Sequence, residues 1–245
     1  MHFDPDSKTI GFLYPGLGVA EDDLDWLVAA CFPDRSVTSA VAETPIHEDL
    51  HTVASLRELG QAWRLEAGAE ELADKRPNAL VWACTSGSFV FGFEGARRQA
   101  TELEAATGVP ASSTSLAFVE AIAALGIGRV AIAATYPAEL AERFPAFLEE
   151  AGVEVCGLRA NDIPTAGDAG RVDPDAVARL VLAGDRPDAE AVLVPDTALH
   201  TVRQLPDLER QVGKPVLSAN QVSVWIGLRL ADALPAGAAG LLAHA

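Results

Sequence analysis

The chain is poor in cysteine, in tyrosine and in positive charge. Its 245 residues include three cysteines, two tyrosines and one methionine. Cys31, Cys84 and Cys156 form no CxxC pair and no metal-ligand spacing. That argues against a disulfide-stapled scaffold and a zinc ribbon, and an odd count suggests a reducing compartment. No charge-free apolar run approaches the roughly 18 residues of a membrane-spanning helix. The opening stretch MHFDPDSKTI carries charge at once and has no apolar core of a signal peptide, so a cytoplasmic location is expected. Lys and Arg number 18 against 35 Asp and Glu, a formal net charge of -17. This balance disfavours nucleic acid and anionic membranes as partners. It also gives no general attraction to an anionic substrate, so any anion site must be built locally. No glycine-rich phosphate loop is present, and YPGLG (14–18) is too short to count as one.

Apolar residues make up 49% of the chain, enough for a well-buried core. Short apolar runs alternate with helical patterns. TIGFLYPG, SVTSAVAE, ALVWAC, RVAIAAT, VEVCGLRA, AEAVLVP and KPVLSA read as strands. Helices are expected over 21–30, over 50–74 with a break near Gly60, over 93–108, 116–125 and 137–152, from Pro174, over 201–213 and over 223–234. Repeated βα units of this kind predict an α/β fold with parallel sheets covered by helices.

The two halves look alike. ALVWACTSGS (79–88) matches AVLVPDTALH (191–200), which puts Asp196 where Cys84 stands. GVPASSTSLAFVEAIAALG matches GKPVLSANQVSVWIGLRLA, with Gly-x-Pro at 108–110 and 213–215. An internal duplication is expected, with two pseudo-symmetric lobes. The first lobe spans 1–115 plus a closing helix over 223–245; the second spans 116–222. Ligands bind beyond the carboxyl ends of parallel strands. In two facing lobes those ends hold Tyr14 to Gly18, Cys84 to Ser88, Thr135 with Tyr136, and Asp196 to Ala198.

Cys84 ends an apolar run and is followed by Thr85, Ser86, Gly87 and Ser88. Hydroxyls and backbone N–H groups there form a neutral cradle for a carboxylate or an enediolate. A thiol beside such donors can serve as a nucleophile; the same pattern also fits an inert core cysteine before a capped helix. Tyr136 can donate to an anion or simply cover apolar surface. Asp196 can act in a site or cap a turn. Cys31 and Cys156 read as packing residues. His47 and His51 stand at metal-pair spacing, but no third ligand is evident, and a solvated helix start is the expectation.

The motifs IGFLYPG, CTSGSF, AATYPAEL and LPDLERQVGKPVLSANQVSVWIGLR, spread over nearly the whole chain, resemble the aspartate/glutamate racemase superfamily. The resemblance is to its branch of maleate cis–trans isomerases and arylmalonate decarboxylases. It implies a cofactor-independent enzyme with its site in the cleft between two α/β lobes. The implied partner is a small carboxylate substrate; a homo-oligomer is compatible with it. The resemblance makes Cys84 the first-lobe cysteine and a catalytic residue. It lines the carboxylate pocket with Thr85, Ser86 and Tyr136, with Thr197, Pro15 and Gly16 beside them. No metal is implied. The chain departs from the family pattern at the second-lobe cysteine, where Asp196 stands. That excludes a two-thiol racemase. It also requires Asp196 to be protonated, to turn away, or to meet a cationic group on the substrate. For an acidic substrate the protonated form is expected, with Asp196 handling a proton. The activity expected first is isomerisation of the maleate type. Decarboxylation, racemisation and non-catalytic binding of a small acid are the alternatives.

Overall fold

The computed structural model describes residues 7–16 and 19–235. Two separate four-stranded parallel sheets organise it. The first contains β1 (Lys8–Pro15), β2 (Val37–Thr44), β3 (Ala79–Trp82) and β4 (Ala111–Ser113), in the order β2-β1-β3-β4. The second contains β5 (Arg129–Ala134), β6 (Glu154–Ala160), β7 (Ala191–Val194) and β8 (Val216–Ser218), in the order β6-β5-β7-β8. The second order is the first moved along by one sheet, so the duplication in the sequence is a repeat of topology. β3, β7 and nearly all of β5 are buried on both faces. This is why they read as continuous apolar runs rather than alternating ones.

Helices flank both sheets. They are α1 (Glu21–Cys31), α2 (Val53–Leu59), α3 (Ala62–Leu72), α4 (Ser86–Phe89), α5 (Gly92–Thr107), α6 (Thr114–Ala124), α7 (Ala138–Ala141), α8 (Arg143–Glu150), α9 (Ala166–Ala169), α10 (Pro174–Gly184), α11 (Leu205–Val212) and α12 (Ala219–Leu230). The break near Gly60 has a packing cause. A Cβ on Gly60 would stand 2.2 Å from the Gly87 carbonyl oxygen, so the α2–α3 corner can approach the Cys84 turn only as glycine. Gln99 on α5 donates to both the Gly60 and the Gly87 carbonyls. Gly108 and Gly213, which begin the two Gly-x-Pro motifs, both end helices in the left-handed region at φ 70°.

Three elements differ from the sequence expectation. The helix over 137–152 is interrupted at Glu142, because Pro145 lacks the N–H that would bond the Ala141 carbonyl. The helix expected over 201–213 begins only at Leu205, next to Pro206. The closing helix expected from 223 starts at Ala219, where Ser218 and Gln221 form a capping box. It ends at Leu230, and the part expected over 236–245 lies outside the described residues. Among the described residues no helix is long and apolar enough to cross a membrane.

α12 packs on β1, β3 and β4 of the first sheet and against α1 and α6. Its first ten residues, Ala219 to Leu228, are all buried. Phe89, Phe93, Phe118, Phe144 and Phe147 form a second joint, bringing α4, α5 and α6 against α8. Aromatic pairs of this kind stabilise by about 0.5–1.5 kcal/mol each beyond their buried area.

Gly227 sets how closely α12 lies on the sheet. A Cβ there would stand 2.5 Å from Ile10 Cγ2, an atom fixed by β-branching. Gly227→Ala is expected to destabilise by about 1–3 kcal/mol. Combining it with Ile10→Ala should cost less than the sum of the two single changes in urea melts. Additivity in that cycle would show that the two positions do not touch.

Candidate active site

The β3 chain continues through Ala83 to Cys84, and the β7 chain through Pro195 to Asp196. Ala79 pairs with Ile10 of β1, and Ala191 pairs with Val130 of β5. Cys84 and Asp196 therefore hold equivalent positions at the ends of equivalent strands. Both line one cavity of about 40 Å³, together with Tyr14, Ser86, Thr197 and His51. That volume is room for a few water molecules.

Cys84 is buried, and its Sγ accepts the Gly87 N–H at 3.3 Å. The Ser86 hydroxyl lies 3.9 Å from the sulfur. A Cβ on Gly87 would press on Sγ and on the Trp82 ring, each at 3.1 Å, so glycine keeps the turn tight around the thiol. Burial pushes the Cys84 pKa up to about 11. The Gly87 N–H and Ser86 hydroxyl pull it down, and the charge of Asp196 adds to the rise. The resting cysteine is therefore a thiol and needs a base or a ligand to become a nucleophile.

Asp196 is buried and tightly braced. The Thr135 hydroxyl donates to Oδ2, and the Ala198 N–H donates to Oδ1 at 2.9 Å. The backbone on either side is held by the chain's only two tyrosines. Tyr136 donates to the Pro195 carbonyl at 2.6 Å, and Tyr14 donates to the Thr197 carbonyl at 3.0 Å. Burial first, and Asp196 second, push both phenols well above their usual range, so both remain protonated donors. Asn220 adds a further bond to the Thr197 carbonyl at 3.0 Å. In the first half, Ser115 supports the Thr85 carbonyl at 2.6 Å. Ser115 and Asn220 are themselves equivalent in the repeat, so the same support is built twice.

Cys84, Ser86, Asp196, Thr197 and Pro15 line the cavity. Thr85 and Tyr136 are fully buried and do not line it. The Thr85 hydroxyl has no protein hydrogen-bond partner, while the Tyr136 proton is engaged by Pro195. Gly16 lies outside the cavity, on a shallow groove beside Glu43 and Thr44. Leu17 and Gly18 lie outside the described residues.

Sequence reasoning missed the segment between β2 and α2. His47 is exposed as expected, but His51 is buried rather than solvated. Its Nδ1 lies 2.9 Å from the Ile163 carbonyl, its backbone N–H donates to the Pro164 carbonyl, and its ring meets Tyr136 edge-on. Asp49 accepts the Ala166 and Gly167 N–H groups at 2.8 and 2.9 Å. These bonds tie the segment to the second half and bring Glu48, Asp49 and His51 to the cavity wall. The only signal in the sequence was the density of charge and histidine in PIHEDLH.

A family model described as arylmalonate decarboxylase matches residues 61–242. The chain belongs to the arylmalonate decarboxylase family. It is 32% identical to an arylmalonate decarboxylase of Bordetella bronchiseptica over 149 residues, which is 60% of this chain and 62% of that protein. It is 30% identical to a maleate isomerase of Pseudomonas putida over 187 residues, 72% of this chain and 74% of the isomerase. Its fold matches the crystal structure of a maleate isomerase from Pseudomonas putida S16 with a TM-score of 0.87, at 22% identity, covering 97% of this chain and 98% of that one. A liganded mutant of arylmalonate decarboxylase matches with a TM-score of 0.77 at 26% identity, covering 92% and 93%. The chain thus sits in the isomerase and decarboxylase branch of the aspartate/glutamate racemase superfamily, as its motifs indicated.

The thiol environment can be read directly by alkylation with neutral iodoacetamide. Only thiolate reacts, so the Cys84 rate is expected to rise about tenfold per pH unit from pH 7 to 10 without a plateau. Asp196→Asn should speed it by about two- to tenfold at fixed pH, because a negative charge beside the sulfur is removed. A plateau by pH 8 would show that the protein stabilises the thiolate instead.

Proposed function

We propose that this family enzyme is an isomerase of the maleate cis–trans type, acting on a small unsaturated carboxylic acid without a cofactor. The observation that carries the reading is a thiol and a carboxyl group, one from each half, lining the same cavity. In this reading Asp196 starts ionised, not protonated as expected from the sequence for an acidic substrate, and takes the Cys84 proton when substrate binds. The thiolate adds to the alkene carbon β to the substrate carboxylate, forming a C–S bond. The π electrons move into the carboxylate, giving an enediolate. The Ser86 hydroxyl, which lines the cavity, stabilises that charge as a donor. Rotation about the new single bond follows. The electrons return, the C–S bond breaks, and the thiolate recovers its proton from Asp196. No atom is gained or lost.

A second reading uses the same groups for proton transfer. Asp196 and Cys84 are both proton carriers, so decarboxylation or racemisation through an enediolate is open to this cavity. The relatives support either chemistry: one solved structure similar to this chain is a maleate cis–trans isomerase of Nocardia farcinica with a covalently bound succinylcysteine intermediate; others are arylmalonate decarboxylases.

Proton NMR in deuterated water with maleate, other small unsaturated acids, arylmalonates, aspartate and related amino acids separates these outcomes. Alkene isomerisation without carbon loss or α-deuteration is the expected result. Cys84→Ser and Cys84→Ala should lower turnover by at least about a thousandfold with an unchanged circular dichroism spectrum. An unfolded variant, with activity per folded molecule retained, would make Cys84 a packing residue. Protection of Cys84 by an acid that is never turned over would make the protein a binder.

A further inference from the structure

We propose that the substrate of this site carries a protonated amine as well as its carboxylate, and is a small zwitterionic acid rather than a dicarboxylate. The inference rests on the reading of the Cys84 cavity as the substrate site. Among the described residues that line the cavity, none is Lys or Arg, while Glu48, Asp49 and Asp196 all are carboxylates. A dicarboxylate would bring two further negative charges to a wall that already carries three carboxyl groups. Burying charge without an opposite partner is strongly unfavourable.

The hydrogen-bonding inventory has the same sense. Neutral donors on the wall are few: the Ser86 and Thr197 hydroxyls line the cavity, enough for one carboxylate. The rest of the wall offers acceptors. Both oxygens of Asp196 already accept hydrogen bonds and retain further lone pairs. Glu48 accepts the Ser55 hydroxyl at 2.5 Å through Oε1 only. His51 faces the Ile163 carbonyl oxygen at 2.9 Å through Nδ1, so Nδ1 carries a proton and is already engaged. Asp49 is the exception, since two backbone N–H groups already offset its charge. An ammonium group supplies three donors and one positive charge to this set of acceptors.

Three four-carbon acids test the proposal on the full chain: (Z)-but-2-enoate, maleate and (Z)-4-aminobut-2-enoate. Binding is read by titration calorimetry and by protection of Cys84 from iodoacetamide, and turnover by NMR. The amino acid is expected to bind at least about tenfold more tightly than (Z)-but-2-enoate, with maleate the weakest. Glu48→Gln and Asp196→Asn should each shrink that preference several-fold. The proposal is overturned if maleate binds best, if the amino acid does not bind, or if its preference survives both substitutions. Tight binding of the amino acid without turnover upholds the substrate class and overturns the isomerase reading. Isomerisation of tightly bound maleate does the reverse.

Discussion

The turn that carries Asp196 is the constraint around which the site is arranged. A buried carboxylate is tolerable only where its oxygens are satisfied and its backbone is fixed. Here Thr135 and Ala198 satisfy the oxygens. Tyr136, Tyr14 and Asn220 hold the carbonyls on either side. Tyr14 comes from the first sheet, so this turn also fastens the two halves together at the cavity. The chain has two tyrosines and spends both here. Placed in this way, the Asp196 charge acts on Cys84 and helps to keep it a thiol until a ligand changes the balance.

Duplication explains how such a site is assembled. Two copies of the same sheet present the same strand end, and small changes give the two ends different chemistry. Cys84 and Asp196 are one such pair, while Thr85 and Thr197 are conserved between the halves. The supporting side chains follow the repeat too, with Ser115 under one turn and Asn220 under the other. The phenylalanine cluster and the buried first ten residues of α12 hold the halves in register. The stretch between β2 and α2 adds Glu48, Asp49 and His51 to the cavity wall.

The parts of this architecture that depend on local rules were legible in the sequence. Apolar runs marked the strands, Gly108 and Gly213 marked two helix ends, and the alignment of ALVWAC with AVLVPD placed Cys84 opposite Asp196. Pro145 also held the break in the helix at Glu142, although the run around it reads as continuous. What was not legible depends on contacts distant in the chain. Nothing in PIHEDLH announces that His51 reaches the Ile163 carbonyl or that Asp49 caps Ala166 and Gly167. Tyr136 looked like a free donor for an anion, and only the fold reveals that its proton belongs to Pro195.

The account turns on Cys84 acting as a nucleophile in a cavity shared with Asp196. Acid quenching during turnover, followed by peptide mass spectrometry, addresses this most directly. A substrate-mass adduct on the peptide containing Cys84, absent from those containing Cys31 and Cys156, is the predicted result. Steady turnover with no adduct on Cys84 at any quench time, and undiminished turnover in Cys84→Ala, would contradict it.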